Sequence, residues 1–208
     1  MTINPILFNT EMVRAILDGR KGATRRIVKG FIPDDAVWGY TAFTHKVYIS
    51  CRGTFADGDG EKFFKLPCEP GDILYVRETW KEAPKGYYYY EDWQRNDIAD
   101  ITKWKPSIHM PKEAARIWLK VTNVRVERLQ EITDEQAKRE GIQYDECPTG
   151  FTWKQETDMH NCYTTPIGAM QALWNSTIKK SDIDRYGWDA NPWVWVIEFE
   201  RCEKQEEI

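Results

Sequence analysis

The chain has 208 residues and a formal net charge of −4, with 29 Lys and Arg against 33 Asp and Glu. This length accommodates one domain with a full hydrophobic core, and we expect a single domain over residues 1–208. The acidic balance argues against attraction of nucleic acid by the whole surface. No apolar stretch approaches the roughly 20 residues that a membrane-spanning helix needs, so we expect no membrane partner.

Cysteine usage indicates reduced thiols. The five cysteines are odd in number and widely spaced (Cys51, Cys68, Cys147, Cys162 and Cys202), which is more typical of a cytoplasmic protein than of a disulfide framework. His160 lies near Cys162, and His109 and Cys68 are also available, but no cluster has the spacing of a structural zinc site. We therefore expect a cytoplasmic protein with no metal and no cofactor.

The first thirty residues predict a helix followed by a strand. Apolar residues recur at helical spacing over residues 10–18, after an N-capping pair Asn9–Thr10. Gly19 suits the C-terminal cap. Residues 24–28 then have the composition of a strand.

The middle of the chain reads mainly as strands. Residues 47–51 and 62–64 are strand-like around a Gly/Asp turn at 57–60, and a Pro-Gly-Asp turn at 70–72 leads into a strong strand at 73–77. Residues 81–105 are expected to leave the core. Residues 117–129 alternate apolar and polar side chains, with a slip in register near Asn123.

The last third predicts two helices and a closing strand. Thr133 can cap a helix that runs to Glu140, with Gln136 in the capping-box position and Gly141 at its end. Residues 142–163 are loop-like, 165–178 predict a helix, and 193–199 predict a strand. These elements favour an α+β, mainly β fold, built as a mixed barrel with flanking helices. We expect insertions near residues 31–69, 81–112 and 143–163.

The most unusual segment reads G-x-K-x-x-T-x-R over residues 19–26, where a helix should end. It lies in a basic stretch from Arg14 to Lys29 that contains one acid, Asp18. This stretch favours a site for an anion or a polarised carbonyl, although a solvated basic face is the alternative. If Thr24 begins a strand, Thr24 and Arg26 point to one side of it, and Lys21 can fold back over Thr24.

The spacing of Gly19, Lys21, Thr24 and Arg26, followed by the turn at 70–72 and a strand, resembles the ASCH superfamily. Its members have a PUA-like β-barrel fold. The common signature carries Glu where Thr24 stands here, and a threonine is typical of the branch of bacterial N4-acetylcytidine amidohydrolases. Residues 129–140 are similar to a later segment of that branch. Residues 105–111 and 193–195 are similar to longer phage and prophage members.

The resemblance implies an amide hydrolase that removes acyl groups from N4-acylated cytosine nucleosides, with a small nucleoside as substrate. It implies Thr24 as nucleophile, Lys21 as base and Glu140 as the third member. Arg26 is a candidate for binding the substrate carbonyl, and Glu78, at the end of a strand, for lining the same pocket. A threonine hydroxyl needs a neighbour to take its proton, and lysine can do so only with a pKa well below about 10.

Other interpretations remain open at the level of sequence. In one alternative, Lys21 and Thr24 are turn residues and Arg26 pairs with an acid on a neighbouring strand. In the others, Glu140 is an exposed helix residue, and Glu78 is a structural partner of Arg26. The alternative functions are a module that binds RNA or a modified base, and an RNA-cleaving ASCH protein of phage origin that uses Lys21 and Arg26 on the scissile phosphate. The ten tryptophans favour core packing over base stacking.

Overall fold

The computed structural model describes residues 1–39, 48–95, 103–146, 149–153 and 162–204. His160 and Cys147 lie outside the described residues. The strands are β1 Ile3–Leu7, β2 Ala23–Ile27, β3 Val37–Gly39, β4 Tyr48–Phe55, β5 Gly58–Lys65, β6 Ile73–Arg77, β7 Trp80–Ala83, β8 Gly86–Tyr89, β9 Trp118–Arg128, β10 Gln143–Glu146, β11 Thr149–Thr152 and β12 Trp193–Cys202. The helices are α1 Thr10–Leu17, α2 Tyr90–Arg95, α3 Asp134–Arg139, α4 Pro166–Thr177 and α5 Ile183–Tyr186.

A five-stranded sheet with the order β1-β6-β9-β12-β2 forms the centre of the fold. Strands β1 and β6 are parallel, and the other neighbours are antiparallel. A three-stranded sheet β3-β4-β5 and the hairpins β7-β8 and β10-β11 are attached to it. The architecture is therefore mixed α+β and mainly β, as the sequence predicts.

The expected barrel is not confirmed, because none of the described sheets closes on itself. The two edge strands of the central sheet are β1 and β2. One side-chain hydrogen bond joins them in the described part of the chain, in which Arg26 Nη2 donates to the Leu7 carbonyl oxygen at 2.8 Å. One bond of this kind brings the edges near each other without making a ladder.

Several local predictions are confirmed with their caps. Helix α1 begins after Asn9, whose Oδ1 accepts a hydrogen bond from the Met12 amide at 2.9 Å. Helix α3 begins after Thr133 with the expected reciprocal capping box to Gln136. The register slip in β9 is also present, as the pairing with β12 shifts between Glu198 and Phe199, opposite Asn123 and Val121.

The prediction of a loop over residues 142–163 is wrong for its first part. Residues 143–146 and 149–152 form the β10-β11 hairpin. Their polar composition is not typical of a strand. The hairpin is stabilised by packing of Tyr144 against Phe151, whose ring centroids are 5.4 Å apart. Strand β12 also runs beyond the predicted end, because Glu200 and Arg201 continue the ladder with β9.

Apolar clusters cover both faces of the central sheet. On one face, Trp195, Ile197 and Phe199 pack with α1 and with β1, β6 and β9. On the other, Val194 and Val196 pack with α3 and α4. Among the tryptophans whose burial the structure describes, five are buried: Trp80, Trp118, Trp174, Trp188 and Trp195. Within the described part of the chain, no helix has the length and apolar character needed to cross a membrane.

Candidate active site

Two segments far apart in the chain meet at the end of helix α1. Lys21 and Glu140, 119 residues apart, form an isolated antiparallel bridge. The Gly22 amide donates to the Arg139 carbonyl at 2.9 Å, and the Lys21 amide donates to the Ala15 carbonyl at 2.9 Å. These backbone bonds fix the turn before β2 against the end of α3.

The Glu140 carboxylate is shared by two buried cations. Lys21 Nζ donates to Glu140 Oε2 at 2.7 Å and to the Glu140 carbonyl at 2.9 Å, while Arg25 Nη1 donates to Oε1 at 3.0 Å. Glu140 is 3% exposed. The interpretation of Glu140 as an exposed helix residue is therefore wrong, since Glu140 is the C-cap that follows the last residue of α3 and its side chain is turned inward.

Burial is the largest influence on Lys21, and it lowers the pKa of the ammonium group. The Glu140 carboxylate raises this pKa, whereas the nearby guanidinium groups of Arg26 and Arg25 lower it. The net direction is downward from the ordinary value of 10.5. Lys21 is therefore closer to its neutral form than a surface lysine is.

Thr24 and Arg26 lie on the same face of β2, as their spacing predicts. Their cross-strand partners are Ile197 and Trp195, which belong to the cluster that also contains α1. Thr24 is 2% exposed. Both hydrogen bonds that Lys21 Nζ makes among the described residues go to Glu140, so Lys21 and Thr24 share the site without being hydrogen-bonded to each other.

Phe8 lies between the two cations of this face. Lys21 Nζ is 5.5 Å from the centre of its ring, and the Arg26 guanidinium is 5.4 Å from it. Arg26 bonds the Leu7 carbonyl, whereas the arginine that pairs with acids is its neighbour Arg25. The contribution of Phe8 was missed from the sequence, where only its short apolar run was visible.

The structure does not pair Glu78 with Arg26. The Glu78 carboxylate is bound in a bidentate manner by Arg116, with Nε and Nη2 each at 2.9 Å. Arg116 also binds Asp92 through Nη1 at 2.7 Å. Burial raises the pKa of Glu78, and Arg116 opposes that shift. Glu78 therefore belongs to a separate ion cluster.

No protein-family model, curated protein or solved structure matches this chain. What the site does must therefore be inferred from its own geometry.

A cavity of about 370 Å³ lies between the edge strands β1 and β2. Its wall consists of Asn4, Pro5, Ile6, Leu7, Arg26, Pro67, Cys68, Leu74 and Ile197. Arg26 is the charged residue of this wall, and the Cys68 thiol stays neutral because burial raises its pKa to about 12. Since Ile197 is the cross-strand partner of Thr24, the cavity reaches the strand position opposite the threonine.

Among the residues that the structure describes, no group of three His, Cys, Asp or Glu side chains is arranged to hold a metal ion.

Gly141 holds the backbone conformation that turns Glu140 inward. Its φ is +106°, and a Cβ added there would lie 2.9 Å from the Ala15 Cβ. Gly71 has a similar φ of +94°, with nothing within 4 Å of an added Cβ. We expect Gly71→Ala to lower the free energy of unfolding by about 1 kcal/mol through backbone strain. Gly141→Ala should lower it by about 2 kcal/mol more, because of the collision with α1.

Urea unfolding of the two variants measures this difference. Equal decreases in Gly141→Ala and Gly71→Ala would show that the contact between Gly141 and Ala15 has no influence on stability.

Proposed function

We propose that this protein is an ASCH-type amidohydrolase that removes acyl groups from N4-acylated cytosine nucleosides, and that its central sheet is a PUA-like barrel left open between β1 and β2. The observation that supports this most is the buried contact between Lys21 Nζ and Glu140 Oε2 at 2.7 Å. Lys21 lies in the turn that leads into β2, three residues before Thr24. The lysine, the carboxylate and the hydroxyl are each less than 5% exposed. The apolar cavity is lined by Arg26 and by Ile197, the cross-strand partner of Thr24, although Lys21, Thr24 and Glu140 are not themselves in its wall. A group of lysine, carboxylate and hydroxyl is suited to acyl transfer.

In the proposed reaction, Thr24 Oγ1 attacks the carbonyl carbon of the N4-acyl group. The hydroxyl proton passes to neutral Lys21, and the carbon becomes a tetrahedral oxyanion. When the C–N bond breaks, that proton goes to the departing N4 amine, which leaves as cytidine. Water then attacks the acyl-threonine ester, releasing a carboxylic acid and restoring the hydroxyl.

Lys21 serves as the base because its pKa is lowered by burial. Glu140 holds the amine in position because Lys21 Nζ donates one hydrogen bond to its carboxylate and one to its backbone carbonyl. Arg25 Nη1 donates to the second carboxylate oxygen at 3.0 Å and so fixes the orientation of the carboxylate. Glu140 therefore orients Lys21 between cycles and stabilises the ammonium form once the proton has been accepted.

The oxyanion needs hydrogen-bond donors, and not every backbone amide of the turn before Thr24 is available. The Gly22 amide already donates to Arg139. In the ladder with β12, the Val28 amide donates to Trp193 and the Phe199 amide donates to Gly22. The residues of β2 that exchange backbone hydrogen bonds with β12 are therefore the even-numbered ones, and the amides of the odd-numbered residues point away from β12. The Ala23 amide points to the open edge of the sheet and is the backbone donor we assign, with Arg26 on the cavity side as the charged donor.

The direct test is conversion of N4-acetylcytidine to cytidine by the purified protein, followed by absorbance. Turnover is expected, and a series of N4-acyl groups of increasing size measures how much of the cavity is used. Absence of turnover with acetyl and with all larger acyl groups would refute the hydrolase assignment.

The pH profile should report Lys21. Because the neutral amine is the active form and its pKa in the folded protein is lowered from 10.5, kcat/KM should rise with pH and level off below pH 10.5. Over the same window the unfolded chain binds more protons than the folded one, so the contribution of Lys21 to stability also rises with pH. In the Lys21→Met variant, the residual activity should no longer show this rise of kcat/KM with pH. A wild-type profile that falls with rising pH would contradict the assignment of the base.

Access to the cavity is testable at Leu7, which lines it and is 41% exposed. We expect Leu7→Trp to reduce kcat/KM at least about tenfold by filling the cavity mouth, an effect of the size that one misfitting group produces in a binding pocket. Val37→Trp is the matched control, because Val37 is 66% exposed and does not line the cavity. Equal kinetics of Leu7→Trp and wild type would place the substrate elsewhere.

A further inference from the structure

A second concave surface is lined by the chain neighbours of the bridge between Lys21 and Glu140, namely Arg20 and Arg139. It is a groove of about 470 Å³, which is within the usual range of about 300–1,000 Å³ for small-molecule sites. We call it the basic groove, and its lining includes Arg20, Lys138, Arg139, Ile142, Tyr144 and Phe151. Part of it comes from the β10-β11 hairpin, which the sequence did not predict.

The cations of the basic groove come from its two sides. Arg20 precedes the turn at Lys21, and Lys138 and Arg139 are the last residues of α3. Arg20 is oriented by the Gly141 carbonyl at 2.8 Å and by Asp18 at 3.1 Å. Lys138 is exposed, and Arg139 is 52% exposed with its acidic partner Glu198 at 3.6 Å. These cations keep donor groups that an anion can use.

The groove also offers an aromatic face. Tyr144 is 56% exposed although it is a large ring. Its ring packs against Phe151 in an edge-to-face arrangement, at an interplanar angle of 72°, so one neighbour holds the ring in place while more than half of Tyr144 is exposed. Ile142, which is 3% exposed, adds an apolar surface beside it.

The combination of these features fits a ligand that has both a phosphate and a planar ring. Lysine and arginine bind phosphate oxygens, and exposed aromatic rings stack on bases at about 1–3 kcal/mol per base. We propose that the basic groove binds a nucleotide, with its phosphate among Arg20, Lys138 and Arg139 and its base against Tyr144. Both a free nucleotide and one residue of a single-stranded nucleic acid have this chemistry.

The groove borders the candidate active site without including it. A Cβ added to Gly22 would lie 3.9 Å from Arg139 Nη2, so the guanidinium packs against the turn between Lys21 and Thr24. A nucleotide in the groove would thus lie beside the catalytic turn. Binding there does not depend on the proposed hydrolysis, because none of the groove cations is needed for the acyl transfer.

The test uses ligands that the proposed reaction does not consume. A fluorescein-labelled oligouridylate is titrated with the full-length protein by fluorescence anisotropy, and uridine 5′-monophosphate and uridine are used as competitors. We expect the labelled strand to bind, the monophosphate to compete and uridine to compete at least about tenfold more weakly. Competition by the strand alone assigns the groove to single strands, and competition by both assigns it to free nucleotides as well.

Matched variants locate the binding. Lys138→Glu should weaken strand binding at least about fivefold and reduce the slope of log K against log salt by about 0.7, because one lysine no longer neutralises a phosphate. Lys120→Glu makes the same charge change at an exposed position of β9 outside the groove, and its affinity should remain within twofold of wild type. Tyr144→Ala should weaken binding about tenfold, with Tyr144→Phe close to wild type and Tyr48→Ala, at another exposed tyrosine, as control.

Absence of binding by both the strand and the monophosphate would overturn the proposal, as would equally weakened binding in Lys138→Glu and Lys120→Glu. Thermal melts that coincide with wild type show that each variant is folded. Thr24→Val should bind the strand as wild type does, so a failure of the hydrolase assignment and a failure of the groove are separate results.

Discussion

Replacement of Thr24 by valine is expected to reduce kcat for N4-acetylcytidine at least about a thousandfold, the scale on which loss of a nucleophile acts in hydrolases that use one. Valine keeps the branched shape of threonine, so the packing of this position, 2% exposed in the core, changes little. What the substitution removes is the hydroxyl that we propose as the nucleophile. Thr24→Ser keeps a hydroxyl and should retain measurable turnover.

The control for this substitution is Thr152→Val, which removes a hydroxyl from another fully buried threonine, in β11. It should leave kcat within a few fold of wild type. Mass spectrometry of the protein quenched during turnover should find the acyl group on the peptide that contains Thr24. Retention of more than a tenth of the wild-type kcat by Thr24→Val would exclude Thr24 as the nucleophile.

Replacement of Glu140 by glutamine should give the largest decrease in stability. Lys21 would remain buried without its carboxylate partner, whereas Arg25 would retain Glu127 at 3.3 Å. An uncompensated buried charge lowers the free energy of unfolding by about 3–5 kcal/mol. For a chain of this length we expect Tm to fall by about 6–20 °C. Activity should fall as well, since Lys21 would no longer have the group that orients it.

Glu135→Gln is the matched control, because it makes the same change at an exposed position of the same helix. Differential scanning calorimetry of both variants is the measurement, and the control should melt within a degree or two of wild type. The double variant Lys21→Met/Glu140→Gln should recover part of the stability, since it removes one of the two buried cations. Equal melting of Glu140→Gln and Glu135→Gln would mean that the pair contributes nothing to stability.

The sequence predicts well those features that depend on neighbours along the chain. The N-caps Asn9 and Thr133 fix their helices through hydrogen bonds to amides three residues away, so their patterns are legible without a structure. The same holds for Thr24 and Arg26, which share a face of β2 because strand side chains alternate. Gly141 at the end of α3 is likewise a local effect, since φ is positive there.

Features that depend on distant partners were not accessible in this way. Charge alone does not tell which of the adjacent residues Arg25 and Arg26 binds Glu140, and the strand register gives that contact to Arg25. Glu78 binds Arg116, which is 38 residues away in the chain, and no sequence motif contains both residues. The hairpin of Tyr144 and Phe151 was missed because its order comes from packing of two rings, which local propensity does not report.

The contact between Lys21 and Glu140 also bears on the order in which the molecule is made. Its partners are separated by 119 residues, and the parallel pairing of β1 with β6 joins residues 70 apart. Contacts of such separation form slowly, because the intervening chain must first be ordered. A growing polypeptide that has emerged only as far as α3 already carries Lys21 and Thr24 but lacks the carboxylate between the two cations. The proposed catalytic arrangement is thus acquired only with the completed fold, and a partly synthesised chain does not hold Lys21 in place.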